Sequence, residues 1–134
     1  MINIELQAKF DNFIKLRESL FYFLESYRCT SSVISESLIV AEEIFTNIIK
    51  HAYKKESSEL IYIEVKVINN ILIMTFKDRG TKFEHIKIPN SLSEIKEEIG
   101  GLGLYLISRL SDSYYYRREG EWNINEIRKY LIMK

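Results

Sequence analysis

The chain predicts an α+β domain, a two-layer sandwich in which a mixed, mostly antiparallel sheet carries its helices on one face. Three observations predict it. Stretches of strand period and helix period alternate in the order strand, two helices, hairpin, weakly patterned segment, helix, hairpin. The strand-like runs come in pairs joined by very short turns, which only antiparallel strands allow. Hydrophobic residues make up 46% of 134 residues, enough for one core, so residues 1–134 are read as a single domain.

Each element has its own signal. Ile2, Ile4, Leu6 and Ala8 alternate with polar residues and predict a half-buried first strand. Phe13, Leu16, Leu20, Phe23, Leu24 and Tyr27 recur at helical spacing, and Cys29-Thr30-Ser31-Ser32 breaks that period before a second helix. The second helix carries Leu38, Ile39, Ala41, Ile44, Phe45, Ile48 and Ile49 on a wide apolar face and is expected to end between His51 and Lys55. Two β-rich runs, Leu60 to Ile68 and Ile71 to Lys77, flank Asn69-Asn70, whose side chains tolerate the positive φ of a tight hairpin. From Arg79 to Ile99 the periodicity fades around Pro89, and this segment is expected to form a lid, with a short helix over Leu92 to Ile99. A helix from about Leu102 to Asp112 follows. Then come a strand at Tyr114 to Arg118, a turn at Glu119-Gly120-Glu121 and a last strand through Ile132.

Composition excludes several classes of function. Lys and Arg together number 19, as do Asp and Glu, so no basic field draws in nucleic acid or an acidic membrane. No run approaches a membrane span, and the expectation is a cytoplasmic protein. Cys29 stands alone and is expected to be a buried thiol, not half of an internal disulfide. Tyr114, Tyr115 and Tyr116 beside Arg117 and Arg118 are explained by alternating strand faces better than by base stacking. His85 has no neighbouring ligand that would make a transition-metal site, and Trp122 is expected to pack.

Three short motifs carry chemistry. Glu43, Asn47 and His51 are spaced by four and would share a helix face. A carboxylate there can take a proton from an attacking hydroxyl, and an amide oxygen one turn on can enter the oxygen shell of Mg²⁺. Lys50 would project near the same edge as a point charge for a phosphate. The same residues also make an ordinary solvated stripe. Asp78-Arg79-Gly80 ends a strand-like run, where a carboxylate can accept from an exocyclic amine, although Asp followed by Gly is also common turn chemistry. Gly100-Gly101-Leu102-Gly103-Leu104 runs into a helix, whose free N–H groups and dipole attract phosphate oxygens.

In this order and on these elements, the three motifs resemble the ATP-binding domain shared by gyrase, heat-shock chaperone, histidine kinase and mismatch-repair ATPases. Within that superfamily the chain is similar to the anti-sigma factor serine/threonine kinases of bacterial partner-switching systems. The likeness spans nearly the whole chain and rests on Glu43 to Tyr53, Asp78 to Phe83 and Gly100 to Asp112. It implies the histidine-kinase-like ATPase fold, with ATP and Mg²⁺ as cofactors. Glu43 would be the general base, Asn47 the Mg²⁺ ligand, and Asp78 the reader of the adenine amino group, with Gly80 giving the base room. Gly101, Gly103 and the backbone at Leu104 would close over the phosphates. Lys50 and His51 stand where basic or ring residues often contact nucleotide, though His51 equally suits a helix C-terminal cap.

The resemblance further implies an anti-sigma-factor antagonist protein as substrate, a sigma factor or similar regulator as second partner, and a homodimer. Two positions depart from the pattern: Lys82 replaces a glycine common after the Asp-x-Gly, and Asn123 to Lys134 offers no Ser or Thr of the kind that assists adenine recognition. That second departure motivates an alternative reading, a non-catalytic ATP-binding module that sequesters its partner. A detached histidine-kinase catalytic domain is a third reading, disfavoured because no helical pair with a phosphoacceptor His precedes the ATP site.

Overall fold

The structure is a computed structural model that describes residues 1–83 and 101–134. Residues 84–100, which hold most of the expected lid, its short helix, His85 and Gly100, lie outside the described residues. Among those described, the chain runs β1 (Ile2–Gln7), α1 (Phe13–Ser26), α2 (Ser31–Asn47), β2 (Leu60–Ile68), β3 (Ile71–Asp78), α3 (Gly101–Leu110), β4 (Ser113–Glu119) and β5 (Trp122–Tyr130).

The break between the first helices forms as its residues dictate. Arg28, at φ 58°, turns the chain out of α1. The Thr30 hydroxyl then accepts from the Val33 N–H at 3.3 Å and caps α2. Asn69 and Asn70 take φ values of 52° and 63°, the left-handed pair that a two-residue hairpin requires.

The strand order is β1-β2-β3-β5-β4, and every pairing among the described residues is antiparallel. The helices α1 and α2 lie on one face. Leu16, Leu20 and Leu24 of α1, with Ile44 and Phe45 of α2, bury against Ile61, Ile63 and Val65 of β2 and Leu72, Met74 and Phe76 of β3. The other face is polar, carrying Glu5, Tyr62, Glu64, Thr75, Lys77, Arg117 and Glu126. Cys29 is a buried free thiol, as expected. Tyr114 and Tyr116 are half-buried while Tyr115 is exposed, so the tyrosine run does alternate. Trp122 packs edge-on against Tyr62 and under the Arg79 guanidinium, 4.3 Å from its ring centre.

The inward row of β5 reads Asn123, Asn125, Ile127, Lys129, and the first two stand opposite Asp78 and Phe76 of β3. One end of an otherwise apolar sheet floor is therefore polar. Lys129 ties the other end: its Nζ donates to Glu36 Oε2 of α2 at 2.6 Å and to the Leu110 carbonyl that ends α3.

Candidate functional site

The polar end of the floor meets the turn that follows α2, where the Thr81 N–H donates to the Ala52 carbonyl, and the first turn of α3 lies against α2. Along α2, Glu43 and Asn47 lie one turn apart on a half-buried edge. Past Asn47 the helix widens into a π turn, Ile48–Ala52, so the four-residue spacing no longer carries His51 onto that stripe. The His51 ring instead stands 6.4 Å from the Phe83 ring, and Lys50 is exposed.

The third motif arrives on α3. Gly101 opens that helix, and Leu104 buries its side chain in the core, which fixes the height of the helix over α2. Gly103 sits directly on the first motif: a Cβ built there would lie 2.6 Å from Glu43 Oε2 and 3.2 Å from Asn47 Nδ2. Only a residue without a side chain lets the helix start approach both groups so closely.

The electrostatics at this point suit a base. Burial, and then the neighbouring Glu42 carboxylate, push the Glu43 carboxyl above its ordinary value, while the Lys50 charge pulls it partly back. Burial and Lys50 together depress His51, which keeps its ring neutral at pH 7.

The second motif lies where β3 ends against the turn after α2. Asp78 ends β3 wholly buried, and its Oδ1 accepts from the Gly80 N–H and from Asn123 Nδ2, both at 2.8 Å. Its Oδ2 has no hydrogen-bond partner among the described residues. Desolvation dominates and raises the Asp78 carboxyl, although the two hydrogen bonds and the Arg118 charge oppose it. Such a buried, unmatched acceptor costs on the order of 1–3 kcal/mol, a cost that a ligand donor removes.

Gly80 has a packing reason of its own, since a Cβ there would fall 2.5 Å from the Ala52 carbonyl carbon at the helix end. Thr81 seals the same contact, donating its N–H to the Ala52 carbonyl at 2.9 Å and its hydroxyl at 3.1 Å. Lys82, the departure from the usual glycine, is exposed beside this loop.

Sequence reasoning missed the residues that hold the loop. Asn123 Nδ2 reaches the Thr81 carbonyl at 2.9 Å and the Gly80 carbonyl at 3.3 Å as well as Asp78. Its Oδ1 accepts from the Tyr116 hydroxyl and from Arg118 Nη1, the latter at 3.1 Å. Tyr116 Oη in turn accepts from the Phe83 N–H at 3.1 Å. The last strand thus holds the Asp78 loop through an amide, although it carries no Ser or Thr. The signal was present in the strand's period: Asn123 and Asn125 fall in phase with buried Ile127, where an ordinary strand is apolar.

Comparison with known proteins identifies the family and the fold. The family model described as a histidine kinase-like ATPase domain matches residues 6–129. A Staphylococcus epidermidis relative, named serine-protein kinase RsbW, is 30% identical over 106 residues, 73% of this chain and 66% of the relative, so the chain spans just under two thirds of its length. The RsbW of a Listeria monocytogenes serovar 1/2a strain is 32% identical over 118 residues, 83% of this chain and 75% of the relative. Among solved structures, the RsbU and RsbW domains of a Mycobacterium tuberculosis protein align over 98% of this chain and 33% of that one, with TM-score 0.70 and 14% identity. The SiaB-SiaC complex from Pseudomonas aeruginosa aligns over 98% and 90%, with TM-score 0.66 and 13% identity; at such identities both establish the fold. With the family model covering nearly all its residues and relatives named RsbW matched over three quarters of theirs, the chain belongs to the histidine kinase-like ATPase domain family and is similar within it to the RsbW proteins.

Proposed function

We propose that this chain binds ATP between the β3–β5 floor and the α2–α3 edge and transfers its γ-phosphoryl group to a serine of a small anti-sigma-factor antagonist. The observation that carries the reading is the seat of Gly103 against Glu43 and Asn47, which joins the first and third motifs. In the reaction the serine oxygen bonds to the γ-phosphorus, the bond from that phosphorus to the β,γ-bridging oxygen breaks, and ADP leaves. Glu43 Oε takes the serine proton, a role suited to a carboxylate raised toward neutrality. Asp78 Oδ2 accepts from the adenine amino group. Gly101, Gly103 and the Leu104 N–H, at the positive end of α3, face the phosphates, with Lys50 as an outer point charge and His51 at the edge.

Magnesium, when bound, supplies charge neutralisation on the phosphates. Asn47 Oδ1 is the oxygen this chain offers it. Among the described residues no cluster of three His, Cys, Asp or Glu side chains could hold a metal unaided, which suits an ion held chiefly by the triphosphate.

The biological setting proposed is partner switching: ATP favours binding of a sigma factor or comparable regulator, and phosphorylation of the antagonist releases that antagonist. A cytoplasmic location accords with it, since no helix among the described residues is long and apolar enough to cross a membrane. Homodimerisation belongs to the same proposal, and light scattering on the purified protein reads it. The absence of a Ser or Thr on the last strand keeps a non-catalytic nucleotide-binding module as the alternative reading, and phosphotransfer separates the two. Incubating the protein with γ-labelled ATP, magnesium and an antagonist domain tests the proposal. Acid-stable phosphoserine on the antagonist supports it; an unlabelled antagonist, or label lost in acid, refutes it.

A further inference from the structure

Among the described residues two buried side-chain atoms lack a hydrogen-bond partner, Asp78 Oδ2 and Asn125 Nδ2. One is an acceptor and the other a donor. Both residues are enclosed, at 0% and 2% exposure, and both point to the inner face of the sheet. Asp78 stands opposite Asn123 and Asn125 lies two residues further along β5, which makes Asp78 and Asn125 diagonal cross-strand neighbours, with Cβ atoms roughly 7 Å apart. Two orphaned atoms of opposite kind at that separation can meet the edge of one flat ring.

The orientation of each is fixed by the hydrogen bonds to its Oδ1. Asp78 Oδ1 is held by Gly80 and Asn123, which leaves Oδ2 as the open acceptor. Asn125 Oδ1 accepts from the Tyr114 hydroxyl at 2.6 Å. Burial keeps the Tyr114 phenol protonated, so it needs an acceptor; turning the amide over would take that acceptor away. The Nδ2 donor therefore faces away from Tyr114, without a partner among the described residues.

We propose that Asn125 is a second base-reading residue, its Nδ2 donating to N1 of adenine while Asp78 Oδ2 accepts from the exocyclic amino group. The pair selects adenine against guanine, which presents a carbonyl oxygen to Asp78 and an N–H to Asn125. This rests on the ATP-site reading above and extends it by one residue and one ring atom.

Calorimetric titration of the whole chain with ATP, GTP and 1-deaza-ATP, in which N1 is replaced by C–H, tests the assignment. A buried donor left open is penalised strongly, so the wild-type protein binds ATP at least tenfold more tightly than 1-deaza-ATP, and GTP more weakly still. Asn125→Leu, close in volume, weakens ATP about tenfold and leaves 1-deaza-ATP nearly unchanged, so that the two bind alike. Should the wild-type protein bind ATP and 1-deaza-ATP equally while Asp78→Asn still weakens ATP, Asn125 does not read the base and the ATP site stands. Asn125 is likewise excluded as a base reader if Asn125→Leu keeps the full preference for ATP. No ATP binding by the wild-type chain overturns both readings. The wild-type comparison needs no variant, so a misfolded Asn125→Leu does not rescue the assignment.

Discussion

Replacing Gly103 by alanine places a methyl group 2.6 Å from Glu43 Oε2, where ordinary contact begins at 3.4 Å, so the carboxylate must retreat by about 0.8 Å. Asn47 Nδ2, at 3.2 Å, must give by a few tenths of an ångström. Both are the ends of flexible side chains on a half-buried edge, so their retreat is cheap, and alanine in a helix gains up to about 1 kcal/mol over glycine. Thermal stability should therefore stay within about 1 kcal/mol of wild type, roughly 4 °C or less in melting midpoint. Phosphotransfer should not survive so well. A base displaced by nearly an ångström from its reacting proton costs on the order of 100-fold. The assay is paired: scanning calorimetry on the apo protein, and γ-phosphate transfer to an antagonist at saturating ATP. Wild-type transfer by Gly103→Ala would refute the claim that this close approach builds the site, and a large loss of stability would refute the claim that Glu43 is free to yield.

Three further predictions follow from the same geometry. Because burial raises the Glu43 carboxyl, the base is lost to protonation at a higher pH than an exposed glutamate's value of about 4.3; the acidic limb of the rate at saturating ATP should lie above that value, and a limb at or below it contradicts the assigned base. The fold raises the Asp78 carboxyl, so its contribution to stability is fullest at low pH and falls as pH rises through the folded value. Asp78→Asn should melt no lower than wild type at pH 8, with the difference shifting against the variant on acidification, while ATP affinity falls at least tenfold. Lys129→Met removes the partner of Glu36 and of the last carbonyl of α3, and should lower unfolding free energy by about 1–3 kcal/mol in urea titration.

Much of the fold was legible because local chemistry and tertiary need agree in it. The Asn69-Asn70 turn, the Thr30 cap and the alternation of Ile61, Ile63 and Val65 each state locally what the sheet requires globally. Other features depend on tertiary contact. No local preference announces the positive φ of Arg28, the π turn over Ile48–Ala52, or the insertion of β5 between β3 and β4. Of the candidate site, the motif residues themselves were visible, as was the order in which they occur. Asn123 and Asn125 were not singled out, and Tyr114 and Tyr116 were read only as tyrosines on alternating strand faces, because a polar residue on a strand reads as outward-facing until the phase of Ile127 is used to place it. Gly80 was assigned to making room for the base; a Cβ there would also meet the Ala52 backbone, a contact between residues 28 positions apart that spacing does not reveal.

Glu43 is assigned to act on a proton and not on the nucleotide, and everything proposed for the reaction depends on that assignment. Single-turnover transfer from bound γ-labelled ATP to the antagonist, compared between the wild-type chain and Glu43→Ala, tests it most directly. The variant should still bind ATP with affinity near wild type while transfer slows by about 100- to 10,000-fold. Transfer at the wild-type rate, or loss of ATP binding together with transfer, would contradict it.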